Sequence, residues 1–142
     1  SLSYPKLQAM RNFTNKLWNM ARFIELSRSQ SLKEGLISDM DMQIVQKTEK
    51  LALEVTRLLK KYDFNHAAQN LYDFIWHEFA DVYIEDIKNR INKNSYESLL
   101  KCYLTVLKLL HPFMPFVTEE IYQRLYSAQA KKTPLIISSW PV

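Results

Sequence analysis

One glycine, Gly35, serves the whole 142-residue chain, and that scarcity decides most of what the chain can become. Hairpin turns need backbone at positive φ, and the phosphate cradles of Rossmann and P-loop folds need several clustered glycines. Neither is available here. Long stretches rich in Leu, Lys and Glu point instead to helices joined by few turns, an all-α fold. The chain is 47% hydrophobic and 13% aromatic, enough apolar surface for a real core. Its length suits one domain, residues 1–142.

Hydrophobic spacing places about five helices. Pro5 suits the first turn of a helix predicted over Lys6–Leu26, where Met10, Phe13, Leu17, Met20, Ala21 and Ile24 form one apolar stripe. A serine-rich loop, Ser27 to Ser38, holds the glycine. A second helix starts at an N-cap, Ser38 or Asp39, and carries Ile44, Val45, Leu51, Ala52, Val55, Leu58 and Leu59 to about Tyr62. A third runs from His66 to Asn92, with Asn65 as its cap. Tyr72, Phe74, Trp76, Phe79 and Tyr83 cover more than one of its faces, so it belongs at the centre of the bundle. Ser95 caps a fourth helix through Leu110. Pro112 and Pro115 bend the chain, and a fifth helix runs from Pro115 to about Ala130 with Glu119 and Glu120 near its start. Pro134 stops it. Leu135-Ile136-Ile137 reads as a short strand or extended segment docked on the bundle.

Few constellations could carry chemistry. A di-metal bundle site needs Glu-x-x-His pairs, and the sequence has none. Asp63 and His66 straddle a predicted turn, where capping explains them better than metal ligation. Glu78, Asp81 and Glu85 share one face of the third helix. A catalytic carboxylate pair is one reading, and pairing with Lys88 or with bases of the first helix is the simpler one. Cys102, the single cysteine, sits among leucines as a small buried hydrophobe, so no disulfide forms and a reducing, cytoplasmic setting is expected. No apolar run reaches the ~20 residues of a membrane span.

Charge is unevenly placed. Lys6, Arg11, Lys16, Arg22, Arg28 and Lys33 against Glu25 give residues 1–33 a charge of +5, and the net +4 leaves −1 for the rest. Arg11, Asn15, Asn19 and Arg22 line one stripe of the first helix, with Trp18 beside them and Lys16 further round. Guanidinium forks suit phosphate or guanine, amides suit base edges, and an indole can stack an unpaired base. A solvated helix flank has the same pattern.

The residues of this helix also carry a resemblance. Arg11-Asn12-Phe13-Thr14-Asn15-Lys16-Leu17-Trp18-Asn19-Met20-Ala21-Arg22-Phe23 closely resembles the first helix of the anticodon-binding domain in valyl-type class I aminoacyl-tRNA synthetases. Tyr72 through Lys88 resembles that domain's central helix, His111 through Ile121 its next signature, and Ile136 through Pro141 its closing Trp-Pro segment. The four blocks keep family order and cover essentially the whole chain. Asp41-Met42-Gln43-Ile44 departs from the family, which commonly has a tryptophan soon after this aspartate.

The resemblance implies a domain excised from a longer synthetase. HIGH-type and KMSKS-type signatures, which belong to a separate ATP-using Rossmann domain, are absent here, and so is the C-terminal coiled-coil arm. It implies no catalytic residue, metal or cofactor in this chain, ATP being used by the parent enzyme. Its implied partners are a tRNA, through the anticodon loop of the valine acceptor, and the catalytic domain of the same parent. Arg11, Asn15, Trp18, Asn19 and Arg22 would face that loop, with Lys16 and Arg28 as further phosphate or base contacts. Two alternatives stand beside it: an isoleucyl- or leucyl-type relative, and a helical protein-interaction module that binds no RNA.

Overall fold

The computed structural model describes residues 3–127, 133–135 and 138–142. Among the described residues, five helices pack around one apolar core: α1 (Tyr4–Arg28), α2 (Asp39–Lys60), α3, α4 (Lys93–Leu110) and α5 (Pro115–Leu125). α3 is a continuous rod of three windings, Phe64–Asp73, Phe74–Ile84 and Glu85–Ile87. The described residues contain no strand. The expected all-α bundle is the fold, and α3 lies at its centre, touching α1, α2 and α4.

Local chemistry explains most boundaries. Ser38 caps α2 in a reciprocal box: its Oγ accepts from Asp41 N–H at 3.2 Å, and Asp41 Oδ2 accepts from Ser38 N–H at 3.0 Å. The caps of α3 and α4 differ from expectation. Asp63, not Asn65, caps α3, its Oδ1 accepting from His66 N–H at 3.3 Å, while His66 Nδ1 lies 2.7 Å from Oδ2. That is the capping role for the Asp63–His66 pair. Asn92, not Ser95, caps α4. Ser95 sits three residues inside and closes the box from there, its Oγ accepting from Asn92 N–H at 2.8 Å. Two capping residues three apart exchange bonds, and the first is the cap.

α5 ends at Leu125, and Tyr126 (φ −118°, ψ 45°) leaves helical geometry. The part of its expected extension from 128 to 130, and the Ile136-Ile137 part of the expected strand, lie outside the described residues. Leu135 is buried, and Trp140 Nε1 donates to Thr56 Oγ1 at 2.8 Å, which fastens the C-terminal segment to α2. Met10, expected in the apolar stripe, is exposed, because α1 extends past the bundle for its first turns and only Phe13 onward meets the core.

The middle of α3 is wound as a π-helix. Its buried residues come in pairs, Phe74-Ile75, Phe79-Ala80 and Tyr83-Ile84. In an α-helix, residues five apart sit about 140° out of line, so Phe79 would turn away from the face that holds Phe74. The wider winding brings positions five apart into register. Phe79 then stacks between Phe74 and Tyr103, at 6.2 and 6.1 Å between ring centres.

Gly35 is needed for closeness, since its φ is not positive. A Cβ there would lie 2.4 Å from Asn92 Nδ2, within the cap of α4. The Ser29–Ser38 loop presses on that cap, with Lys93 N–H donating to Lys33 O at 3.0 Å and Asn92 Nδ2 to Leu36 O at 3.3 Å. Gly35→Ala therefore pushes Asn92 out of its capping rotamer. The expected loss is about 1 kcal/mol, the worth of an N-cap, measured by urea denaturation.

Candidate nucleic-acid interface

α1 is positioned by its inner face. Phe13, Leu17, Met20, Ala21 and Ile24 are buried, and the buried Tyr103 hydroxyl donates to Leu17 O at 2.7 Å. Lower down, Arg124 grips Glu25 through two bonds, Nε–Oε2 at 2.7 Å and Nη2–Oε1 at 2.9 Å, and these hold the Glu25 carboxyl below its ordinary range. Arg28 Nε donates to Tyr96 Oη at 3.0 Å and Nη2 to the Leu125 carbonyl, so this guanidinium ties α1 to both α4 and α5.

With the inner face fixed, helical spacing turns Arg11, Asn15, Asn19 and Arg22 outward, and all four are exposed. Arg22 Nη1 donates to Asn19 Oδ1 at a long 3.4 Å. Neither Arg11 nor Asn15 is hydrogen bonded through its side chain or ion paired to any described residue. The strip is open to solvent.

Beside it lies a groove of about 220 Å³ between α1 and the π-wound part of α3. Met20, Phe23, Ala80 and Ile84 make its apolar walls, and Asn19, Lys16, Asp81, Glu85 and Lys88 its polar edges. Lys16 Nζ lies 2.8 Å from Asp81 Oδ1 and 4.8 Å from the centre of the Trp76 ring. Lys88 pairs with Glu85. The edges thus carry both signs and little net charge, whereas the neighbouring strip is cationic. A small groove with buried apolar walls and a mouth lined mostly by donors and acceptors can take the edge of a flat polar ring.

The seven residues singled out from sequence do not converge equally. Arg11, Asn15, Asn19 and Arg22 form the strip, and Asn19 and Lys16 also border the groove. Trp18 and Phe23 are both half-buried and packed against the core, and helical spacing puts Trp18 on the flank of α1 away from the groove. Arg28 is a staple between helices. Phe23 and Ile84 were missed. Phe23 stands four residues after Asn19 and seven after Lys16, so the same spacing that defines the strip places it on the groove side. Ile84 was not legible, because an α-helical projection misplaces residues in a π-wound segment.

The carboxylates of α3 are paired. Asp81 holds Lys16, Glu85 holds Lys88, and Glu78 lies 3.6 Å from Lys47. The pairs of Asp81 with Lys16 and of Glu85 with Lys88 are those expected with the first helix and Lys88, whereas Glu78 meets α2 instead. Cys102 is buried, its thiol pushed up to about 11 by burial, which suits a structural role. No described helix is long and apolar enough to cross a membrane.

The bundle thus shows solvent a cationic, amide-bearing helix beside a small groove. A family model for the anticodon-binding domain of tRNA ligases matches residues 41–142, and the chain belongs to that family. Its relatives include valine–tRNA ligases: identity is 37% over 150 residues with that of Dehalococcoides mccartyi (strain CBDB1), covering 99% of this chain and 17% of the relative. Identity reaches 40% over 140 residues with the valine–tRNA ligase of Thermotoga maritima, covering 94% of the chain and 16% of the relative. The chain is thus similar to about one sixth of these ligases. The alignments take in α1, which the family model leaves out.

Proposed function

We propose that this chain inspects the anticodon loop of a valine tRNA, with Arg11, Asn15, Asn19 and Arg22 facing the loop and the α1–α3 groove receiving one unstacked base. The observation that carries this reading is the adjacency of the open cationic strip to the α1–α3 groove through the shared residue Asn19. Phosphates bound along the strip supply affinity, and a base edge read by amides supplies discrimination. Lys16 and Arg28 contribute by holding the groove wall and the lower end of α1. Phe23 takes the stacking role first given to Trp18. Valine activation with ATP falls to other parts of a longer enzyme, and this chain needs no cofactor of its own. A cytoplasmic setting fits the lone buried thiol.

The test is titration of the chain with valine tRNA at about 50 and about 200 mM salt. Affinity falls steeply with salt, since neutralised phosphates release counterions. Arg11→Ala and Arg22→Ala each lower affinity several-fold, reduce the salt slope by about one, and leave the melting temperature unchanged. If both variants bind as tightly as the parent, the strip is not the RNA-binding face.

A further inference from the structure

Lys16 lines the groove, yet α3 holds its ammonium on two sides. Nζ lies 2.8 Å from Asp81 Oδ1 and 4.8 Å from the centre of the Trp76 ring. The π winding makes this double hold possible. Trp76 and Asp81 are five residues apart, so an α-helix would turn them about 140° from each other, beyond the reach of one ammonium. His77 Nδ1 stands 3.8 Å from the other carboxylate oxygen, Asp81 Oδ2. Further along, Glu85 and Lys88 form a second pair. Two cations and two anions therefore edge the groove, whereas the strip beside it has Arg11 and Arg22 and no carboxylate.

A phosphate and a base edge meet the Lys16–Asp81 pair differently. A phosphate that took the Lys16 ammonium would stand roughly 4 Å from the Asp81 carboxylate, and like charges that close repel several times more strongly at a protein surface than in bulk water. A base edge is neutral and presents N–H donors beside ring and carbonyl acceptors. It gives an N–H to the carboxylate while accepting from the ammonium, so the pair stays together around it. The pair is a filter.

We infer that Asp81 is a specificity-determining residue, which bars phosphate from the α1–α3 groove by holding Lys16 and presenting its own charge, and so keeps the groove for a base. Backbone phosphates are thereby confined to the strip of α1, which fixes the register of the loop. A groove open to phosphate would let any RNA strand lie across it, and affinity would rise as discrimination fell. The inference rests on the reading that an anticodon loop lies on α1, but its charge argument needs only an RNA strand.

The test uses two labelled probes: the valine anticodon stem-loop, and the same stem closed by an abasic loop that keeps the phosphates and lacks the bases. Each is titrated with the parent chain, Asp81→Asn and Asp73→Asn at about 50 and about 200 mM salt. Asp81 is exposed, so its variant keeps the fold and the melting temperature. In Asp81→Asn the abasic loop binds at least ~fivefold tighter and its salt slope steepens by about one, as Lys16 joins the phosphate contacts. The valine loop gains less than about twofold, so the preference for bases shrinks. Adding Lys16→Met cancels the gain, because the freed ammonium is what takes the phosphate. Asp73, an exposed carboxylate of the same helix, lies outside the groove, and Asp73→Asn leaves both probes at the parent affinity. Equal gains in the two Asn variants would reduce the effect to net charge and overturn the inference, as would no gain on the abasic loop. A parent chain that binds both probes equally reads no base, and the anticodon assignment then fails. The response of the abasic loop to Asp81→Asn still decides the filter.

Discussion

Replacing Asp41 with alanine is expected to lower the unfolding free energy by about 3 kcal/mol, the order seen when one partner of a buried ion pair is removed. Asp41 is fully buried and accepts four bonds: from Ser38 N–H at 3.0 Å, from the Tyr83 hydroxyl at 2.7 Å, and from both Arg90 Nη atoms at 3.1 Å. Alanine strands the Tyr83 hydroxyl inside the bundle and opens the cap of α2. Arg90 keeps Asp86, 2.7 Å from its Nε, and its side chain is 27% exposed, so the loss stays at the low end for such pairs. Urea denaturation at neutral pH reads it directly. A loss below about 1 kcal/mol would show that the start of α2 is held by packing alone.

The same carboxylate sets an acid dependence. Burial by itself would raise the Asp41 pKa, but bonds from Arg90, Ser38 and Tyr83 outweigh it and hold the group below its ordinary range. A pKa lowered by folding contributes stability that is complete above the unfolded value of about 4 and is lost as pH falls through the folded one. The stability gap between the parent chain and Asp41→Asn is therefore widest at neutral pH and closes in acid.

This buried network also shows where sequence reading stops. Ser38 was legible as a cap because capping is local, set by residues three apart. Asp41 carries no comparable local signal of burial. Its partners Tyr83 and Arg90 are more than forty residues away, and no local pattern points to them. Scarce glycine excluded β and α/β folds at once, and the stripes of α1, α2 and α4 gave those helices to within a few residues. The π winding was hidden, since an aromatic run covering two faces also describes a central α-helix. For the same reason the strip, which lies wholly on one regular helix, was readable. The groove needs a second and irregular helix, and was not.

The most direct measurement of the central claim is a titration of a labelled valine anticodon stem-loop with the parent chain and with Asn19→Trp. Asn19 is exposed, so the helix accepts the larger side chain, and an indole at this position fills the groove mouth and removes the amide. Affinity should fall at least ~tenfold, about 1.4 kcal/mol, with the melting temperature unchanged. A stem-loop bound equally tightly by both proteins would mean that no base enters the groove between α1 and α3, and the account of the site would be wrong.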